Sequence, residues 1–159
     1  MKRIIIHWTA GTYKVSEQDK EHYHFIVSGD GKIVEGDHTV EANASTADND
    51  YAAHTRGCNK DSIGISMACM AGALEGRSDG DYPMKENQFD AMISKVIELA
   101  KTYKIKVTPQ TILTHAEVQP TLGIIQRGKW DIARIPFMPE LKGHKACGDY
   151  IRKRVSEFM

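Results

Sequence analysis

No stretch of this 159-residue chain approaches the ~20 consecutive apolar residues of a membrane-crossing helix, so no membrane partner is expected. Met1-Lys2-Arg3 followed by Ile4-Ile5-Ile6 has the outline of a secretory leader. The apolar run falls far short of the ~7–15 residues such a leader needs, and it ends in His7. The expectation is a chain without a signal peptide, made in the cytoplasm. There is no net charge either: 21 basic residues balance 21 acidic ones, which gives no reason to expect nucleic acid as a partner. Cysteine is scarce, with Cys58, Cys69 and Cys147 an odd number and no Cys-x-x-Cys spacing. That excludes a thiolate zinc framework and a disulfide scaffold. Cys69 and Cys147 read as small buried residues, and Cys58 as a loop thiol without a base beside it. Repeats, low-complexity tracts and linkers are absent as well. Residues 1–159 therefore read as one domain, long enough for a real core.

What is present is a mixture of strand and helix signals. Residues 3–8 form a β-branched run that delivers His7 to a strand end beside Gly11, a place where α/β folds tend to hold chemistry. Ser16 is an N-cap for a short helical turn. Residues 23–27 and 32–35 flank Gly29-Asp30-Gly31 as a hairpin. Residues 37–50 make a long polar loop, and 62–68 a strand apolar enough to be central. From Lys85, the spacing of Phe89, Met92, Ile93, Val96, Ile97, Ala100 and Tyr103 predicts a helix with one buried face. Residues 111–115 read as a short strand, 120–139 as irregular, and 145–158 as a terminal helix whose Lys142, Lys145, Arg152, Lys153 and Arg154 form a solvated basic face. The class is α/β: a single domain with a central mixed β-sheet flanked by α-helices.

Seven histidines must be sorted. His7 and His115 each close a β-rich run and precede a loop, so strands ending at one edge would bring their imidazoles together. A catalytic zinc takes three protein ligands and leaves one position for water. Asp131, in a loop after His115, is a candidate third ligand, and Lys129 is a cation able to face a developing oxyanion. His24 alternates to the face opposite Tyr23 and packs. His38 and His144 read as surface residues. Glu117 reads either as an acid behind the ligands or as a solvated carboxylate. Trp8 and Trp130 flank the set, as core residues or, for one of them, as a surface for sugar rings.

Six ordered blocks make the reading more specific: Ile5-Ile6-His7-Trp8-Thr9-Ala10-Gly11, Tyr23-His24-Phe25-Ile26-Val27 with Asp30-Gly31-Lys32-Ile33, Ala53-His54-Thr55-Arg56-Gly57-Cys58-Asn59, Ser62-Ile63-Gly64-Ile65, Thr114-His115-Ala116-Glu117-Val118 and Lys129-Trp130-Asp131. In order and spacing they resemble the zinc-dependent N-acetylmuramoyl-L-alanine amidases, the family of small phage endolysins and peptidoglycan recognition proteins. The resemblance implies one Zn2+ in a groove that holds a peptidoglycan strand. It implies His7, His115 and Asp131 as metal ligands, and Tyr23 and Lys129 as catalytic groups at the water and the tetrahedral intermediate. His54 is implied as a substrate contact, and beside it Trp8 is read as the indole that stacks on sugar rings. Two positions depart from the family pattern. Ser66 stands where many members carry a Glu that orients the water, and Asp131-Ile132-Ala133 replaces the usual Asp-Pro-Gly. The implied activity is hydrolysis of the bond between N-acetylmuramic acid and L-alanine by a monomeric endolysin that reaches the wall after release. A non-catalytic binding module and a cytoplasmic amidase recycling free muropeptides are the alternatives.

Overall fold

Three consecutive isoleucines place β-branched side chains on both faces of strand β1 (Arg3–Trp8), so that strand must be covered on both sides. In the computed structural model, which describes residues 1–159, it lies inside a five-stranded sheet. The remaining elements are α1 (Glu17–His22), β2 (Phe25–Val27), β3 (Ile33–Glu35), a 3-10 turn (Val40–Ala44), β4 (Ser62–Met67), α2 (Glu86–Thr102), β5 (Ile112–Thr114), α3 (His115–Leu122) and α4 (Gly143–Ser156). The strand order is β3-β2-β4-β1-β5. β1 pairs in parallel with β4 and β5, β2 runs parallel to β4, and only β3 is antiparallel, as a hairpin with β2. The mixed sheet flanked by helices expected from the sequence is the one observed. No helix is long and apolar enough to cross a membrane.

The period of two along β1 and β4 divides the molecule. Ile4, Ile6 and Trp8 join Ile63, Ile65 and Met67 in the main core, under Phe89, Met92, Ile93 and Val96 of α2 and Cys147, Ile151 and Val155 of α4. Ile5 and Leu113 face the other way and pack with Cys58 and Val118. His7 shares that second face. Across the register it meets Ser66, while Ile5 meets Gly64. β4 thus alternates large apolar residues on the core side with Ser62, Gly64 and Ser66 on the other, and these small residues leave room above the sheet.

Three sequence expectations change. His115 does not close a strand: β5 ends at Thr114, and His115 is the first residue of α3. The helix is short and carries Pro120, which hid it; Thr114 and Glu117 cap its start. The long polar loop is pinned, since buried Asn43 holds His24 Nε2, the Ala52 carbonyl and the Asn59 carbonyl. Arg152 is buried rather than part of a solvated face.

Candidate metal centre

Strand alternation aims His7 away from the main core, and the β5–α3 junction brings His115 to the same side. Asp131 arrives from the irregular segment that follows α3. Its backbone carbonyl accepts from the Ala116 N–H at 2.6 Å, which ties that segment to the first turn of α3. The three side chains converge. His7 Nδ1 lies 3.1 Å from His115 Nδ1 and 3.3 Å from Asp131 Oδ2, and His115 Nδ1 lies 3.4 Å from Asp131 Oδ1. Ligand atoms held at ~2.0–2.1 Å in a tetrahedron sit about 3.3–3.4 Å from one another. Each of the three contacts, with His7 facing one carboxylate oxygen and His115 the other, is therefore close to the ligand–ligand spacing of such a site, and these residues can hold a metal ion.

Charge agrees with that geometry. Burial pushes His7 down to about 4, against the opposing pull of Asp131, so it presents a neutral imidazole near pH 7. Burial acts to raise the Asp131 carboxyl, but the His115 and His7 rings beside it outweigh that and hold it below the usual carboxylate range. Asp131 thus supplies an anionic donor beside the neutral imidazole of His7, which suits a dication.

Around the triangle, Tyr23 sets its ring 5.2 Å from that of His7. Burial, and next the charge of Asp131, push its phenol up, against an opposing effect of Ser66, so it stays protonated through the neutral range. Ser66 is buried, and its hydroxyl has no partner in hydrogen-bonding geometry. His54 is 6 % exposed and stands behind His7, with Nδ1 3.3 Å from His7 Nε2 and 2.8 Å from Thr55 Oγ1. Its Nε2 lies 3.1 Å from the Ser62 carbonyl oxygen. Gln126 Oε1 lies 2.6 Å from His115 Nε2. A groove of about 830 Å³ opens over the site, with Lys129, Arg127 and Arg56 among its walls. Lys129 is exposed at this groove, as is Ala10. Trp8 is only 5 % exposed and packs edge-on against the half-buried Trp130, ring centroids 4.7 Å apart.

The sequence reading missed the support beneath α3. Glu117 is 3 % exposed, so it is not a solvated carboxylate. It accepts from the Thr114 N–H at 3.0 Å and pairs with Arg152 through Nη1 at 3.0 Å and Nη2 at 2.8 Å. Arg152 Nη1 also donates to the Ile112 carbonyl at 3.0 Å. A Cβ at Gly148 would come within 2.1 Å of the Glu117 carboxylate, so only glycine lets α4 pass this close. The Thr114-x-x-Glu117 box was a readable signal for the start of α3. Nothing in the sequence marks Arg152 among its basic neighbours.

A family model described as N-acetylmuramoyl-L-alanine amidase matches residues 1–140. The chain belongs to this family. Among solved structures it is similar to the N-acetylmuramoyl-L-alanine amidase LysC from Clostridium intestinale URNW, with 18% identity, a TM-score of 0.57 and coverage of 98% of this chain and 85% of that chain. A second, the endolysin N-acetylmuramoyl-L-alanine amidase LysCS from the same organism, also has 18% identity and a TM-score of 0.57, covering 98% of this chain and 83% of that one. At this identity the two likenesses speak for the fold. Among curated proteins none matches. The family and enzyme class expected from the ordered blocks are those found.

Proposed function

We propose that the chain is a zinc-dependent peptidoglycan amidase of the endolysin type, made in the cytoplasm and acting on the wall as a monomer after release. His7, His115 and Asp131 hold the metal in this reading. The observation that carries it is the convergence of two Nδ1 atoms and the two oxygens of one carboxylate at 3.1, 3.3 and 3.4 Å, close to the spacing of donors around a tetrahedral zinc. When bound, zinc supplies Lewis-acid polarisation of a carbonyl and a lowered pKa for a water molecule. The chain's own groups do the rest. Lys129 stands at the groove with a charged donor for the carbonyl oxygen as negative charge grows there. Tyr23, kept protonated by burial, donates a hydrogen bond beside the ligands rather than removing a proton. Ser66, a neutral hydroxyl facing His7 in the sheet, supplies no carboxylate base where the family pattern has one. The groove takes the muramyl–peptide strand, with Trp130 offering the larger of the two indole surfaces.

The test is digestion of purified cell wall with and without chelator, followed by re-addition of zinc, with products read by mass spectrometry. The expected products are stem peptides with a free L-alanine amine, lost with chelator and restored by zinc. Cleavage between sugars or within the peptide, or full activity in chelator, overturns the reading. Comparison of intact sacculi with soluble muropeptides separates the endolysin reading from muropeptide recycling: faster turnover of polymer is expected.

A further inference from the structure

We propose that His54 and Gln126 are positioning residues that hold both imidazoles of the metal centre in the Nε2–H tautomer, through two hydrogen-bond chains that each end on a backbone carbonyl. The proposal rests on the metal-centre reading above. A carbonyl oxygen can only accept a hydrogen bond, so it fixes the direction of every donor in the chain that leads to it.

The first chain starts at the Arg56 carbonyl. Gln126 Nε2 donates to it at 2.7 Å, which settles which end of the amide is nitrogen. The Gln126 oxygen is therefore the atom 2.6 Å from His115 Nε2, and it too can only accept. The hydrogen must sit on His115 Nε2, leaving a lone pair on Nδ1, the atom in the ligand triangle. Gln126 is itself held by its backbone N–H, which donates to Gln119 Oε1 of α3 at 2.9 Å.

The second chain starts at the Ser62 carbonyl, to which His54 Nε2 donates at 3.1 Å. His54 is buried with no carboxylate among its partners, so it is neutral and its Nδ1 is an acceptor. Two donors can serve that nitrogen: the Thr55 hydroxyl at 2.8 Å and His7 Nε2 at 3.3 Å. If the hydroxyl donates, its oxygen accepts from His7 Nε2, also 3.3 Å away. If it does not, His7 donates to His54 directly. Both of these arrangements put the hydrogen on His7 Nε2 and free Nδ1 for a metal ion, whereas the competing form, with the hydrogen on Nδ1 directed at Asp131 Oδ2 3.3 Å away, closes that position. The seat of His54 is made by β4, since a Cβ on Gly64 would lie 2.4 Å from its ring.

With the hydrogens so placed, both Nδ1 lone pairs are free for a metal ion on the side of the Asp131 carboxylate. Ring tautomers so fixed typically matter 10–100-fold in metal affinity. The proposal is tested on the full chain in two ways. Long-range proton–nitrogen spectra of the metal-free protein at about pH 8, above the ordinary histidine range, read the tautomers directly and require no variant. Nε2–H with bare Nδ1 on both His7 and His115 is expected; Nδ1–H as the main form on either overturns the proposal. Zinc affinity is then measured by chelator competition. Gln126→Leu and His54→Leu are expected to weaken binding about 10–100-fold, while Gln126→Glu and His54→Asn, which keep an acceptor in place, bind within a few-fold of the parent. Equal affinity of Gln126→Leu and the parent overturns it. If the parent binds no zinc, the metal-centre reading fails, and the ring spectra still decide the tautomers.

Discussion

Replacing Arg152 with Met should expose how the metal centre is supported from below. Arg152 is 7 % exposed and Glu117 3 %, and their two direct hydrogen bonds, at 3.0 and 2.8 Å, are buried with them. Methionine fills similar volume but leaves the Glu117 carboxylate without its cation and the Ile112 carbonyl without its donor. Removing one partner of a buried pair costs about 3–5 kcal/mol, because the remaining charge is stranded away from water. For a domain of this size that corresponds to a fall in Tm of roughly 6–20 °C. Urea and thermal unfolding of the metal-free protein measure it, and the double variant Glu117→Gln/Arg152→Met gives the internal check. It removes both charges while keeping an acceptor for the Thr114 N–H, so it should be more stable than Arg152→Met alone. A loss below about 1 kcal/mol for the single variant, or a double variant no better than the single one, would refute the argument. Metal affinity should fall as well, because His115 follows Thr114 at the capped start of α3.

Other perturbations have equally definite outcomes. Lys129→Ala should lower kcat about 10²–10³-fold with zinc still bound, because the side chain is exposed at the groove and is not among the converging donors; unchanged turnover would remove it from the chemistry. Gly64→Ala should displace the His54 ring, 2.4 Å from the new carbon, and cost about 1–3 kcal/mol together with weaker zinc binding; wild-type stability would count against the packing argument. Acid should destabilise the metal-free protein. Unfolded His7 takes up a proton near pH 6.5, whereas burial holds the folded residue at about 4, so stability falls as pH drops through that window, by about 2 kcal/mol near pH 5. Asp131, held below the usual range, adds loss of the same sign at lower pH. Denaturant midpoints at about pH 7.5 and about pH 5 check this, and equal midpoints would contradict it.

The elements most legible in the sequence are those with a long period or a strong local composition. Ile4-Ile5-Ile6 announces a strand covered on both sides, and the stripe from Phe89 to Tyr103 announces α2. The convergence of His7, His115 and Asp131 is legible only through the ordered blocks, since no local spacing links residues more than a hundred positions apart. Helix α3 escaped because Pro120 and a weak apolar face mask eight residues of helix. Arg152 escaped because a basic stretch reads as solvated until its partner is known. His54 illustrates a further limit. Its ring contacts are with the Ser62 carbonyl and the Thr55 hydroxyl as well as with His7, and a backbone carbonyl leaves no trace in composition.

The tie between α3 and α4 has a consequence for how this chain can change over generations. Glu117 needs Arg152 to be buried, and it needs Gly148 to have no side chain. A lineage that loses Arg152 retains a stranded acid until position 117 also changes, and once the acid is gone the constraint on position 148 is lifted. The three sites should therefore drift as one inherited character, with single replacements purged and concerted ones tolerated. Helix α4 lies at residues 143–156, past residues 1–140, which the family model matches. Selection on the matched residues 1–140 thus reaches into a terminal helix outside them.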